Sequence, residues 1–337
     1  MNKQSPTLAQ VAEAAKVSPM TASRAINNRS GVSEATREHV LKVATELGYV
    51  VNRAAQKLSG GRSHIIGIVA TDIEHPFVSA LVTGAREAAA SAGYEVLVYA
   101  QLRTEKRPTA GVLQLLRQIS DGIVAALPME YGYLEDLAEL SIPVVTIDQR
   151  GNKAEFPSIA GDSYTGAKSA VMHLASLGHK RIAFIGGDER LGSARARRRA
   201  YYDTMAQLGY QKEETIVVPG DHSQAGGHAA AKKLLQMTSP PTAIFAGNDT
   251  TAFGAMVAIR EAGLRIPKDI SIVGFDDIPA ATLVTPNLTT VRQPIHQMGR
   301  SAVYTLLALM AGIQPATHIA TLPTELVVRA STAPPKV

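Results

Sequence analysis

Apolar side chains recur three and four residues apart in three short runs near the amino end of this 337-residue chain. Leu8, Val11, Ala12 and Ala15 form the first run. Thr7 precedes them as an N-cap, since a hydroxyl there accepts an otherwise orphaned amide hydrogen. Lys16-Val17 makes a short turn. Ser18 then offers a second cap, with Pro19 at the first helical position, where its missing N–H costs nothing. The spacing predicts a helix over 19–27 with Ala22 and Ile26 inward and Met20, Thr21, Ser23, Arg24 and Asn27 outward. A third helix follows the Ser33 cap, with Glu34 in its first turn, Val40, Ala44 and Leu47 inward, and Gly48 as its stop. Three short helices with a tight turn between the first two make the helix-turn-helix plan, whose second helix enters the major groove of DNA.

From Ile65 onward the pattern becomes an apolar run, a turn and an amphipathic stretch, repeated. Strands are expected over 65–70, 95–99, 122–125, 144–147, 181–185, 215–218, 243–246 and 271–275. Helices are expected over 79–92, 110–119, 166–177, 194–208, 225–235 and 250–262. Such alternation means parallel α/β sheets, and the strand count suits two sheets better than one. Several runs deliver a polar residue at or just past the carboxyl end: Asp72, Gln101, Asp148, Asp221 or His222, Asn248 with Asp249, and Asp276 with Asp277. In open α/β sheets that edge is where ligands sit. Between head and body, Asn52-Arg53-Ala54-Ala55-Gln56-Lys57-Leu58-Ser59-Gly60-Gly61 has an alanine-rich centre that favours helix but is too short to be stable alone in water.

Charge separates the two parts. Residues 1–62 hold nine Lys/Arg against four Glu, a net +5 that equals the whole formal charge of the chain, so the remainder balances to zero. A compact basic head on a neutral body is the electrostatic layout for binding a polyanion through one small module. There are no cysteines, which removes disulfides, thiol catalysis and cysteine-ligated zinc and fits a reducing cytoplasm. The amino-terminal residues lack the apolar stretch of a secretory signal, and no window approaches the ~20 apolar residues of a membrane span. The histidines have no ligand spacing for a metal. Gly186-Gly187-Asp188-Glu189-Arg190-Leu191-Gly192 occupies the position of a nucleotide loop but fits neither dinucleotide nor P-loop signature, and no nucleophile elbow appears. The reading is therefore of a non-enzyme with neither cofactor nor metal.

TLAQVAEAAKVSPMTASRAIN and VSEATREHVLKVATELGYVVNRAAQKLSGGRS resemble the head of the lactose/galactose repressor (LacI/GalR) family. The likeness continues in IIGIVATDIEHPF, SDGIVA, VVTIDQR, LGHKRIAFIGG, AIFAGNDTTAFGAM, ISIVGFDD and LTTVRQP, and so spans essentially the whole chain. The resemblance implies a helix-turn-helix domain over 1–50, a hinge over 51–62, and an effector-binding and dimerisation domain over 63–331. The last would be a two-lobed core like the periplasmic sugar-binding proteins (type I), with parallel sheets and three crossings between lobes. Lobe 1 would take about 63–160 and 291–321, and lobe 2 about 161–290 and 322–331.

On the head, Arg24 would read guanine edges or clamp phosphate, and Ser18, Thr21 and Ser23 would anchor phosphates. Met20 and Pro19 would offer thymine methyls apolar contact, with Thr7 and Asn27 on the same DNA face. Asn52, Ala55 and Leu58 would meet DNA from the hinge, Leu58 as a minor-groove wedge that kinks the duplex.

In the body, the resemblance implies an effector pocket with Phe77 for apolar contact, Asp148 for sugar-like hydroxyls, Ser193 near a helix start, and Arg197, Asn248, Asp276 and Gln293 in a polar ring. Gln101 and His222, at strand ends, join this set. Two departures stand out: Gly220-Asp221-His222 where many relatives place an aromatic platform, and His75-Pro76-Phe77 where relatives often have Asn-Pro-Phe. In the basic run 195–199, only Arg197 is expected inward.

The implied protein is a cytoplasmic, nucleoid-associated repressor of carbohydrate-use genes. It would bind near-palindromic double-stranded operator DNA as a homodimer, without membrane, under a sugar-like effector. An anionic effector (sugar acid or sugar phosphate), a purine-type corepressor and a free solute-binding receptor remain as alternatives. Residues 330–337 carry no leucine heptads, so dimers rather than tetramers are expected.

Overall fold

A computed structural model describes residues 6–27, 29–49, 61–101, 109–128, 131–149 and 156–336, and the chain divides into two units, Met1–Arg62 and Ser63–Val337. The first unit holds α1 (Leu8–Ala14), α2 (Pro19–Ile26) and α3 (Glu34–Leu47). Each helix begins on a hydroxyl that accepts an amide hydrogen three residues on: Thr7 from Gln10, Ser18 from Thr21, Ser33 from Thr36. Such caps contribute about 1 kcal/mol each, which matters in a unit whose core is mostly alanine and valine. That core is Val11, Ala12, Ala15, Ala22, Ala25, Val40 and Ala44. Ala25 joins Ala22 on the buried face of α2, and Ile26 is half-buried and packs against the same core. One inward assignment shifts. Leu47, in the last turn before Gly48 ends α3 at φ 69°, lies one turn past the core and is 41% exposed.

In the second unit, β1 (Ile65–Thr71), β2 (Glu95–Gln101), β3 (Gly122–Ala126), β4 (Val144–Ile147) and β5 (Ser158–Gly161) alternate with α4 (Pro76–Ser91), α5 (Ala110–Ile119) and α6 (Tyr131–Ala138). Then come α7 (Ser163–Ser176), β6 (Ile182–Ile185), α8 (Gly192–Gln207), β7 (Ile216–Val218), α9 (Gln224–Leu235), β8 (Ala243–Ala246), α10 (Asp249–Glu261) and β9 (Ser271–Asp276). The chain finishes with β10 (Thr289–Arg292), α11 (Ile295–Met310), β11 (Ile319–Leu322) and β12 (Glu325–Val327). One sheet has the order β11-β5-β4-β3-β1-β2, the other β12-β10-β9-β8-β6-β7. Every described pairing is parallel except β10 with β12. Parallel strands need crossovers, and the helices that supply them cover both faces of each sheet, so the inner strands read as near-continuous apolar runs.

All eight expected strands form. The four that apolar runs do not announce, β5, β10, β11 and β12, are three or four residues long and contain Ser, Thr, Arg or Glu. They lie at the three crossings between lobes. Because β5 runs through Gly161, β10 through Arg292 and β11 through Leu322, each crossing falls one or two residues later than the expected lobe boundaries. Backbone pairing, not hydropathy, sets those limits. α4 likewise starts at Pro76 rather than 79, because His75 Nδ1 accepts the Phe77 amide hydrogen at 3.2 Å and serves as the cap.

Helices α9 and α10 pack backbone to backbone through glycine. A methyl on Gly254 would overlap the Gln224 carbonyl, and one on Gly227 would overlap that of Thr251. Gly254→Ala is expected to destabilise the protein by about 1–3 kcal/mol, the usual cost of overpacking a rigid contact. Urea unfolding followed by circular dichroism checks this; an unshifted midpoint would contradict the packing.

Candidate functional sites: an exposed helix and an interlobe cleft

On the head, the outer face of α2 is built from its own capping chemistry. The Ser18 and Thr21 hydroxyls share a hydrogen bond of 2.9 Å, and Asn27 Nδ2 donates to Ser23 Oγ at 3.3 Å. Thr21, Ser23 and Asn27 are half-buried, whereas Ser18, Pro19 and Arg24 are exposed and Met20 is 65% exposed. The end of α2 is held from α3: Arg37 donates to the carbonyls of Ala25 (3.1 Å) and Arg29 (3.0 Å), a role without a periodicity signal. Thr7 stands at the α1 cap, exposed. Asn52, Ala55 and Leu58 lie outside the described residues.

In the body, the carboxyl ends of the two sheets face each other across a cleft of about 250 Å³. Backbone turns at these ends place polar side chains there. Asp72 after β1, Leu127 after β3, Asp148 after β4, and Asp276 and Asp277 at the end of β9 all have positive φ, between 50° and 117°. Left-handed backbone at non-glycine residues costs about 1–3 kcal/mol each and tends to cluster at functional sites. Of the expected pocket residues, Phe77, Asp148, Ser193, Arg197, His222, Asn248 and Asp276 line the cleft. Two do not. Gln101 ends β2, the outermost strand of its sheet; it is buried, and its carbonyl accepts the Asp72 amide hydrogen at 3.3 Å. Gln293 turns its side chain to Asp276, donating from Nε2 to Oδ1 at 2.7 Å.

Hydrogen bonds across the cleft join the lobes at Asp148 and at His75. Ser193 donates both its amide hydrogen (3.0 Å) and its hydroxyl (2.5 Å) to the Asp148 carboxylate. His75 Nε2 meets Thr250 Oγ1 at 3.1 Å. Arg197 is buried, donates to the Gly247 carbonyl at 2.5 Å, lies 3.8 Å from Asp276 Oδ1, and stacks on Phe275 with 3.8 Å to the ring centre. Burial pushes the Asp276 carboxyl up, opposed by Arg197 and Gln293; it pushes the Arg197 guanidinium down, opposed chiefly by Asp276. The pair is thus held in place at the expense of hydration. Asp148 is likewise raised by burial, and the Ser193 hydroxyl pulls it back. Asn248 caps α10 through Thr251 and donates from Nδ2 to the His222 carbonyl at 3.3 Å. The His222 ring is pushed down to about 3 by burial first and by Arg197 second, so it is neutral at pH 7.

Sequence reasoning missed Asp188, Arg190 and Leu191, which reach the cleft from the 186–192 loop, a segment that matches no nucleotide-binding signature. Asp188 is taken by Arg190, which donates from Nε at 3.0 Å and from Nη2 at 2.6 Å. Within the basic run, Arg195 binds the Glu189 and Arg190 carbonyls, Arg198 pairs with Glu189, and Arg199 lies over Tyr164 near Asp203. Only Arg197 of this run lines the cleft, as expected. The lining therefore holds Asp72, Asp148, Asp188, Asp221 and Asp276 against Arg190 and Arg197, a surplus of carboxylate.

Residues 7–52 match the bacterial regulatory proteins of the lacI family, and residues 171–332 match the periplasmic binding protein-like domain. Over 332 residues the chain is 36% identical to the HTH-type transcriptional regulator DegA of Bacillus subtilis, covering 97% of this chain and 98% of that protein. The chain belongs to the LacI family. The HTH-type transcriptional repressor CytR of Escherichia coli is 32% identical, over 97% of this chain and 96% of its own length. Among solved structures, the lac repressor dimer bound to operator and the anti-inducer ONPF superposes with a TM-score of 0.87 at 32% identity, covering 98% of this chain and all of that one. A complex of the transcriptional regulator CelR with cellobiose gives 0.73 at 29% identity, over 97% of this chain and 99% of that one. Membership makes this protein a DNA-binding transcriptional regulator rather than an enzyme, with the helix-turn-helix head and two-lobed core that the sequence implied. Among the described residues no helix is long and apolar enough to cross a membrane.

The neutral His222 ring makes a pH prediction. Its folded value of about 3 lies below the ordinary 6.5, so between those limits the unfolded chain binds the extra proton. Its contribution to stability is present above pH 6.5 and is lost as pH falls toward 3, by at most ~1.4 kcal/mol per unit. His222→Asn should therefore flatten the fall in stability between pH 6.5 and 4 relative to the parent protein. Urea titrations at a series of pH values check this, and parallel curves would show that the ring is not held neutral.

Proposed function

We propose that this protein represses carbohydrate-use genes as a homodimer on a near-palindromic operator, and that a neutral sugar-like molecule in the cleft sets its operator affinity. It works on the nucleoid, in the cytoplasm. The observation that carries the effector reading is the lining itself: a surplus of carboxylates, one buried guanidinium, an amide, hydroxyls and a single phenyl wall. Carboxylates accept from sugar hydroxyls, Arg197 and Asn248 donate to them, and Phe77 covers an apolar edge. A phosphate or carboxylate would meet like charge at Asp72, Asp148, Asp221 and Asp276, and a purine would find one phenyl ring, Phe77, beside the imidazoles of His75 and His222. The cellobiose complex of CelR supports a sugar in such a fold.

On the DNA side, the exposed Met20 and Arg24 on α2 are the base-reading side chains, with Ser18, Thr21 and Ser23 on phosphate. Asn52, Ala55 and Leu58 act from the hinge, Leu58 as the minor-groove wedge. An effector hydroxyl that competes with Ser193 for Asp148 changes the gap between lobes. A differential affinity for the two lobe arrangements of ~1–3 kcal/mol changes operator affinity about 5–150-fold.

A thermal-shift series tests the effector class. Neutral mono- and disaccharides are expected to raise the melting temperature and sugar phosphates are not; a phosphate ester that stabilises more than its neutral parent would overturn the reading. Arg197→Ala should abolish the shift produced by the best neutral sugar while the protein stays folded.

Selection from a random duplex library should enrich a near-palindromic site. On that site Arg24→Ala is expected to cost about 1–3 kcal/mol of binding, read by fluorescence anisotropy. Enrichment of no sequence would remove the operator-binding claim.

A further inference from the structure

Gln293 stands where the chain passes from one lobe to the other, between the end of β10 and the start of α11. Its amide hydrogen reaches the Asp276 carbonyl at 3.2 Å, and its side-chain Nε2 donates to Asp276 Oδ1 at 2.7 Å, the same oxygen that faces Arg197 at 3.8 Å. The other end of the side chain lies over a second crossing: a methyl on Gly161 would overlap Gln293 Oε1. That second crossing is tied to the third. The Asp162 amide hydrogen goes to the Leu322 carbonyl at 2.8 Å, and Thr324 Oγ1 donates to the Asp162 carbonyl at 3.0 Å. Gly166, in the first turn of α7, has no room for a methyl either, which would overlap or crowd Thr324 Oγ1, Val291 and Phe275. Phe275 is the ring beneath Arg197. One contiguous set of short contacts therefore runs from the cleft-lining pair Arg197–Asp276 to all three segments about which the lobes move.

We propose that Gln293 is a positioning residue that couples the Arg197–Asp276 pair to the three lobe crossings, rather than an effector ligand. Its side chain is buried, outside the cleft lining; Nε2 donates to the carboxylate that faces the cleft, and Oε1 packs over Gly161 in the second crossing. A ligand that draws Asp276 toward itself draws Gln293 with it, and so shifts the oxygen packed over Gly161. Domain closure is absorbed by a few residues at element ends, and here those residues are fastened to the site. The functional use of this coupling rests on the cleft being the effector site, as proposed above.

The chain supplies a remote reporter. Ser193 donates its amide hydrogen to Asp148 of the opposite lobe, and Leu191, at the N-cap of α8, provides no side-chain acceptor. Protection of the Ser193 amide therefore depends on lobe closure. Hydrogen exchange is measured on the ligand-free full chain, comparing the parent protein with Gln293→Leu and Gly161→Ala. Loosening the crossings should accelerate exchange at Ser193 about tenfold in either variant while the β8 amides keep their protection. Combining both changes should add little, because each releases the same contact.

Unchanged exchange at Ser193 in both variants overturns the proposal, as does equal acceleration at Ser193 and β8, which is what simple destabilisation gives. Should Gln293→Leu fail to fold, Gly161→Ala alone decides, since its methyl displaces Oε1 and leaves the glutamine in place. The experiment uses no sugar, so its failure removes the coupling and leaves the effector reading to the thermal-shift series. A failed sugar screen leaves the exchange result standing.

Discussion

The amino end of α8 lacks a capping side chain of its own, because Leu191 stands at its N-cap position. The first amides of any helix need acceptors, and here Asp148 provides one from the other lobe, taking both the amide and the hydroxyl of Ser193. A local need of one helix thus becomes a bond between two bodies, in the cleft where a ligand would sit. Whatever competes for Asp148 therefore also competes with the contact that bridges the lobes.

Electrostatics divides labour along the chain. The head carries the entire net positive charge, and a duplex is a dense polyanion, so attraction to DNA resides in one small unit. The body is neutral overall but uneven within: its cleft collects carboxylates, and burial pushes two of them, Asp148 and Asp276, up. Arg197 partly offsets them, itself disfavoured by burial. Such a site is poorly suited to anions and well suited to hydroxyls, which accept from a guanidinium and donate to a carboxylate without bringing charge.

Legibility followed the range of the interaction responsible. Caps at Thr7, Ser18 and Ser33 were readable because a cap is a contact between residues three apart. The apolar strands were readable because parallel strands covered on both faces leave little room for polar side chains. The strands β5, β10, β11 and β12 were not, since they exist by pairing with segments distant in the chain, and the residues that suit such pairing also suit turns. In the cleft, Asp148, Asn248 and Asp276 were legible as polar residues at strand ends, and Arg197, inside α8, only through the resemblance. Asp188 and Arg190 were hidden in a loop that has no periodicity. Gln101 was placed in the lining as a strand-end residue and Gln293 by the resemblance, but the lining depends on which partners the fold brings near: the Gln101 carbonyl takes the Asp72 amide hydrogen on an outermost strand, and the Gln293 side chain donates to the Asp276 carboxylate.

By itself the sequence determined the separation of a basic helical head from a neutral α/β body, the order of most elements, and the edge of the sheets where chemistry collects. These depend on side-chain periodicity, capping and net charge, all properties of short stretches of chain. Only the tertiary structure decided which strand ends oppose each other, that His75 and Asp148 reach across the gap, which ionisable groups are opposed by burial, and that Gln293 faces the crossings rather than the cleft. Those outcomes depend on distances between residues far apart in sequence, and such distances are set by packing, where a single methyl at Gly161 would change the arrangement.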